Sequence, residues 1–200
     1  LEAAAGRTLH VMFPLVSEPW EFAAAREIFV SQRSWLAERG HKLPIAVRYG
    51  VMLEVPALAE MLDVLLPQLD FISIGTNDLT QFLFAADRAD PRLAERYDWL
   101  SPAVLRFLRR VIAAADAAKV QVGVCGEMGG RPLEAMAMIG LGLRRLSITP
   151  AGVGPVKAMI RSLDIAALSP VVQDLVDVGR TDIRQALAKW ADETGVELNI

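Results

Sequence analysis

The sequence is poor in the residues that most often announce a function. Its 200 residues contain one cysteine, Cys125, and two histidines, His10 and His41. A lone cysteine excludes an intrachain disulfide framework and fits a reducing compartment, so a cytoplasmic location is expected. No apolar run approaches the roughly 20 residues needed to cross a bilayer, so no membrane partner is expected. Charge of one sign is lacking too: 21 Lys and Arg against 24 Asp and Glu leave a net charge of -3. That excess is too small to mark nucleic acid or an anionic membrane as a partner. The first residues, Leu1-Glu2-Ala3-Ala4-Ala5-Gly6-Arg7, contain neither an initiator Met nor a signal-peptide core. They point to a chain that begins inside a longer protein.

What is present is a strong α/β pattern. With 53% hydrophobic and 22% charged residues, the chain can bury one substantial core. Five short apolar segments, Leu9 to Val16, Ile45 to Glu54, Phe71 to Gly75, Val120 to Cys125 and Leu146 to Thr149, are each followed by a helix-like stretch. They are nearly continuous in apolar character rather than alternating, which predicts parallel strands buried on both faces. Ser101-Pro102 predicts an N-cap and first turn for a helix over Ala103 to Ala118. Pro56 and Pro155 predict helices running to about Leu66 and Leu163, and Thr181 caps a last helix over Asp182 to Thr194. Five β/α units fit either part of a (β/α)8 barrel, which has eight units in about 250 residues, or a complete five-stranded doubly wound sheet.

In either architecture chemistry gathers at the C-terminal ends of the strands. Gly75-Thr76-Asn77-Asp78-Leu79-Thr80-Gln81 follows the apolar run Phe71-Ile72-Ser73-Ile74 and offers an amide and a carboxylate there. Asp78 supplies hard oxygen for a divalent cation, Asn77 a donor and an acceptor, and the following helix N-terminus favours an anion. Glu54 closes the second strand, where a buried charge must find a cation or hydrogen bonds. Cys125 and Gly126 end the fourth strand ahead of Glu127. A thiol without a neighbouring base is better suited to give a proton than to attack, and Gly126 allows close approach of a bound group. Arg88 could reach back to a phosphate with its planar fork. The blander readings are a salt bridge for Glu54, a helix cap for Asp78, a small buried hydrophobe for Cys125 and a surface arginine for Arg88. The constellation favours metal-assisted phosphoryl transfer coupled to a protonation step. His10, inside a strand, and His41, in a loop, read as structural or surface residues.

Four segments carry a resemblance: His10-Val11-Met12-Phe13-Pro14-Leu15-Val16, Gly50 to Pro56, Ser73 to Gln81, and Gly123-Val124-Cys125-Gly126-Glu127. In order and content they resemble the phosphoenolpyruvate-utilising enzymes, from about Thr8 to Asp164. Ala86-Asp87-Arg88 and Leu100-Ser101-Pro102-Ala103-Val104 resemble the phosphoenolpyruvate-protein phosphotransferases (enzyme I of the phosphotransferase system). Ser147 to Lys157 departs from the usual enzyme I sequence and hints at the nitrogen-branch form, which carries a GAF sensor domain.

The resemblance implies an α/β fold, a partial (β/α)8 TIM barrel made of strands four to eight with their helices. Residues 1–164 would form the C-terminal part of the phosphoenolpyruvate-binding barrel and 165–200 a helical extension. It further implies that Glu54 and Asp78 bind Mg²⁺, that Asn77, Arg88 and Gly126 contact substrate, and that Cys125 protonates the enolate of pyruvate. The phosphoryl group would pass to a histidine on a separate domain and then to a carrier protein, within a homodimer. The rival readings are the C-terminal domain of a pyruvate phosphate dikinase or phosphoenolpyruvate synthase, and a non-catalytic dimerisation fragment.

Overall fold

In the computed structural model, residues 1–94 and 97–198 are described. Four strands, β1 (Thr8–Phe13), β2 (Ala46–Leu53), β3 (Phe71–Gly75) and β4 (Gln121–Cys125), form one sheet in the order β1-β2-β3-β4. All three pairings are parallel, with Val11 opposite Tyr49, Met52 opposite Ser73, and Gly75 opposite Cys125. This sequential order decides between the two architectures. A doubly wound sheet reverses its strand order at a switch point, whereas a barrel adds each new strand beside the last. The chain is an arc of a (β/α) barrel.

The fifth expected strand is reduced to a single parallel bridge between Val124 and Leu146. Val124 N–H donates to Arg145 O at 3.0 Å and Ser147 N–H to Val124 O at 2.9 Å, so the segment lies beside β4. Pro150 follows at once and opens a helix, leaving Ser147 to Thr149 little length in which to extend a ladder.

The strands are joined by α1 (Pro19–Glu38), the short α2 (Pro56–Ala59) and α3 (Leu62–Leu65), α4 (Thr76–Phe84), α5 (Pro91–Ala94) and α6 (Pro102–Ala117). After β4 come α7 (Pro132–Gly140), α8 (Pro150–Ser162), α9 (Ile165–Val178) and α10 (Ile183–Thr194). Ser101 caps α6 as its sequence predicts, with Oγ accepting from Val104 N–H at 3.3 Å. The helix expected over Pro56 to Leu66 is interrupted, and Pro67 turns its end into a 3-10 turn over Leu66–Gln68. The α8 helix starts one turn and more before Pro155, because Pro150 already occupies its first position and Pro155 is accommodated inside. The last helix has Asp182 rather than Thr181 at its N-cap position, with no side-chain cap hydrogen bond.

Tyr49, Val51, Leu53, Ile72, Ile74 and Val124 are buried in the core shared with the helices. The alternate residues His10, Arg48, Met52 and Ser73 are half-buried or exposed, so the strands are not buried on both faces. That second face is the one a closed barrel turns inward, where the remaining strands would cover it. Leu168, Val172 and Val176 of α9 and Leu187 and Ala191 of α10 are fully buried in the same core as the sheet. The α9 helix packs against α7, where Gly140 has no room for a side chain: a Cβ would lie 2.5 Å from Val172.

Candidate functional site

The strand ends are pinned to one another by their own polar groups. The loop after β1 places Leu15 in the left-handed region, φ 52°, and its N–H donates to Glu54 Oε1 at 2.8 Å. Glu54 is only 3% exposed, and among the described residues no Lys, Arg or His forms an ion pair with it. The other carboxylate oxygen leans over the end of β3: a Cβ on Gly75 would lie 2.8 Å from Glu54 Oε2. Glycine at that position is therefore what lets the carboxylate of β2 sit over the end of the next strand.

The junction of β3 and β4 is as close. Gly126 has φ 104°, a conformation that L side chains avoid. A Cβ there would meet Thr76 Oγ1 at 2.7 Å and Asn77 Oδ1 at 3.2 Å. Thr76 Oγ1 donates to Cys125 O at 3.3 Å, and Asn77 Oδ1 accepts from Glu127 N–H at 3.2 Å. With the oxygen of Asn77 so used, its NH₂ group makes no hydrogen bond among the described residues and offers two donors to a ligand. The half-buried thiol of Cys125 reaches back over β3 and donates to Ile74 O at 3.6 Å.

Asp78, in the first turn of α4, is paired with Arg88, Oδ1 to Nη2 at 3.5 Å. Arg88 thus does fold back toward the strand ends, and its N–H donates to Gln81 Oε1 at 3.3 Å. Two clefts adjoin this region. One, of about 610 Å³, is lined by Asn77, Thr80, Gln81, Arg88, Trp99 and Arg131 among others. The second, of about 690 Å³, is lined by Cys125, Gly126, Gly130, Ile148 and Gly152. Glu127 and Arg131 line both. The structure thus brings Asn77 and Arg88 into one cleft and Cys125 and Gly126 into its neighbour, while Glu54 and Asp78 line neither.

His10 and His41 stand apart from all of this. His10 packs edge-on against Phe71, with ring centroids 5.7 Å apart, in the first half of β1. His41 is paired with Glu2 at 2.5 Å.

Among the described residues no group of three or more His, Cys, Asp or Glu side chains is gathered for a metal, so the oxygen donors for a divalent cation are the carboxylates of Glu54 and Asp78. Glu54 is a buried carboxylate that accepts one backbone N–H and has no cationic side chain to balance it, and Asp78 adds hard oxygen on the next strand's helix. A buried, unbalanced charge is costly unless a cation is close.

Several residues of the site carry no strong sequence signal. Arg184 of α10 donates to both oxygens of Asp98, each at 2.7 Å, and to Glu134 Oε1 at 2.7 Å. Partial burial pushes the Asp98 carboxyl up, but Arg184 and the Leu100 N–H outweigh it and hold the group below the usual carboxylate range. The hydrogen bond with Asp98 raises the Arg184 guanidinium further above its ordinary value. Beside this network the Arg131 guanidinium lies over the Trp99 ring, 4.8 Å from its centroid. Only Glu134 was detectable beforehand, as a lone acid inside the apolar run of α7. Arg184 and Asp98 are 86 residues apart in sequence, and nothing in either stretch indicates their pairing.

Comparison with known proteins agrees with this architecture. The family described as "PEP-utilising enzyme, PEP-binding domain" matches residues 1–165. A phosphoenolpyruvate-protein phosphotransferase of Haloferax volcanii is 43% identical over 166 residues, 82% of this chain and 29% of that protein. A multiphosphoryl transfer protein of Xanthomonas campestris pv. campestris is 41% identical over 182 residues, 91% of this chain and 21% of that protein. The phosphoenolpyruvate-dependent phosphotransferase system protein of Escherichia coli K12 is 35% identical over 195 residues, 96% of this chain and 26% of that protein. The chain spans 21% to 32% of the length of the curated relatives it matches. Among solved structures, a citrate lyase from Burkholderia xenovorans LB400 superposes with a TM-score of 0.51 at 16% identity, covering 96% of this chain and 73% of that one. That likeness concerns the fold alone. With the family match covering most of the chain and the strand ends arranged as described, this chain belongs to the phosphoenolpyruvate-binding domain family of the phosphoenolpyruvate-utilising enzymes.

Proposed function

We propose that this chain is the phosphoenolpyruvate-binding part of a phosphoenolpyruvate-protein phosphotransferase, which passes the phosphoryl group to a histidine on a separate domain and releases pyruvate. The observation that carries the reading is the convergence at the ends of β2, β3 and β4. A buried carboxylate, an amide with free donors and a thiol are held there by Gly75 and Gly126, which leave no room for side chains.

In this reading Glu54 and Asp78 hold Mg²⁺, which when bound supplies positive charge to the oxygens of the transferring phosphoryl group. Asn77 Nδ2 and Arg88 orient that group, and Gly126 lets the substrate approach the backbone. The bond between phosphorus and the enol oxygen breaks and its electron pair stays on oxygen. The resulting enolate takes the proton of Cys125 Sγ at its methylene carbon to give pyruvate. In reverse, the thiolate removes a methyl proton. The pair of Arg88 with Asp78 holds the guanidinium at the strand ends before substrate arrives.

The unpaired outer edge of β1 and the exposed Trp20 and Ile28 of α1 support completion of the barrel by further strands and assembly as a homodimer. The histidine domain and a downstream carrier protein are the macromolecular partners. No helix among the described residues is long and apolar enough to cross a membrane, and a cytoplasmic site of action belongs to the same reading.

Calorimetric titration of the full-length protein with phosphoenolpyruvate, with and without Mg²⁺, tests the substrate. Cys125→Ala tests the proton donor: pyruvate formation should stop while phosphoenolpyruvate binding stays within about threefold. Unchanged turnover in that variant removes Cys125 from the chemistry.

A further inference from the structure

The cleft that holds Asn77 and Arg88 is also lined by residues 97–99, which lead through the buried Leu100 into α6. The Tyr97 ring lies against Phe84 at the end of α4, with centroids 4.8 Å apart. The Trp99 ring carries the Arg131 guanidinium. Asp98 stands between these two aromatic residues. Its carboxylate accepts from Nε and Nη2 of Arg184, each at 2.7 Å, and from the Leu100 N–H at 2.9 Å. The positive charge of Arg131 also favours the ionised form of Asp98, so the stacked arginine is drawn to the same anchor.

Arg184 is a fixed point for that anchor. It stands in the first turn of α10, next to Ile183, and α10 is seated in the core by Ile183, Leu187 and Ala191. Its Nη2 is held as well by the buried Glu134 of α7. A fork onto Asp98, whose side chain is 39% exposed, adds little stability. What it supplies is direction, because a planar guanidinium bonded through two nitrogens fixes the carboxylate in both position and angle. The family match ends at residue 165, so α10 lies beyond the matched domain while Arg184 lines the cleft within it.

We propose that Arg184 is a positioning residue of the phosphoenolpyruvate site: from α10, and through Asp98, it fixes the loop that walls the cleft of Asn77 and Arg88. The assignment rests on the phosphoenolpyruvate reading above. Arg184 acts on the wall and not on the reacting atoms. Without the fork the loop samples several arrangements, and substrate must order it on binding, which weakens binding and leaves the bond that breaks unaltered. Glu54, Asp78 and Cys125 belong to β2, α4 and β4, so the chemical step keeps its groups.

The test measures kcat and KM for phosphoenolpyruvate, and amide exchange over residues 97–100, in the full-length wild type, Asp98→Ala, Arg184→Lys and the double variant R184M/E134M. D98A keeps the pair of Arg184 with Glu134, and R184M/E134M strands no buried charge, so both stay folded. KM should rise roughly tenfold in D98A and in R184M/E134M, with kcat within about threefold of wild type. R184K, whose ammonium meets the carboxylate as a point charge, should fall between them and wild type. The Leu100 amide should exchange faster in R184M/E134M than in wild type, and unchanged exchange overturns the clamp. A wild-type KM in the stable R184M/E134M protein would make Arg184 a structural residue only and overturns the proposal. So does an unchanged KM in D98A, or a fall in kcat at constant KM. If wild type turns over phosphoenolpyruvate and the variants match its KM, the positioning role alone fails. If wild type turns over none, the functional reading fails and the positioning role with it.

Discussion

Replacing Arg184 by Met should destabilise the protein by about 2–4 kcal/mol. The side chain of Glu134 is 3% exposed and its Oε1 is bonded to Arg184 at 2.7 Å. Removing one member of a fully buried ion pair costs about 3–5 kcal/mol, because the other charge stays behind uncompensated. Arg184 itself is 39% exposed, so water can enter the vacated space and lowers that figure. Asp98, also 39% exposed, keeps the Leu100 N–H, and its loss of Arg184 adds no more than about 1 kcal/mol. For a chain of this size each kcal/mol moves the melting temperature by roughly 2–4 °C, so R184M should melt roughly 5–15 °C lower. The decisive variant is the double replacement R184M/E134M, which removes the stranded charge and should return to within about 1 kcal/mol of wild type. Guanidinium chloride unfolding of wild type, R184M, E134M and R184M/E134M closes the cycle. A loss below about 1 kcal/mol in R184M, or a double variant that loses the sum of the singles, would refute the argument from an uncompensated buried carboxylate.

The remaining predictions concern the strand ends and the acid limb of stability. Gly126→Ala puts a side chain at φ 104° with its Cβ 2.7 Å from Thr76 Oγ1 and should cost about 2 kcal/mol or more; a loss under about 0.5 kcal/mol in chemical denaturation contradicts the tight junction of β3 and β4. Gly75→Ala pushes against Glu54 Oε2 at 2.8 Å and should weaken the Mg²⁺ dependence of phosphoenolpyruvate turnover about tenfold, whereas an unchanged Mg²⁺ titration would separate Glu54 from the metal. Burial pushes the Asp70 carboxyl up, but the Tyr49 N–H at 2.8 Å and Arg48 at 2.7 Å outweigh it and lower it below the usual range. Because the folded value lies below the unfolded one, this stabilisation is present above about pH 4 and is lost as the pH falls through the folded value. Asp70→Asn should flatten the decline of unfolding free energy below about pH 4, and parallel curves for the two proteins from pH 7 down to pH 2 would contradict it.

Local chemistry made much of the architecture legible in advance. The apolar runs at β2, β3 and β4 are strands and Ser101-Pro102 begins a helix, because these preferences act within a few residues, but the burial on both faces that the runs predict is not found. The strand-end residues Glu54, Asn77, Asp78, Cys125 and Gly126 stand out because polar groups that close apolar runs need partners. The run at Leu146 to Thr149 was equally apolar yet forms only one bridge, since strand formation also depends on the length left before Pro150.

The sequence by itself therefore determined the alternation of strand and helix, the family, and the residues gathered at the C-terminal edge of the sheet. The tertiary structure alone decided three further matters. The strands lie in sequential order. The clefts divide Asn77 and Arg88 from Cys125. Arg184, far away in the chain, clamps the loop of Asp98 and Trp99 on which Arg131 rests. The physical reason is range. Propensities and caps are set between neighbours in sequence, whereas an ion pair or a cleft wall is set by which helices share a core, as α7, α9 and α10 do here.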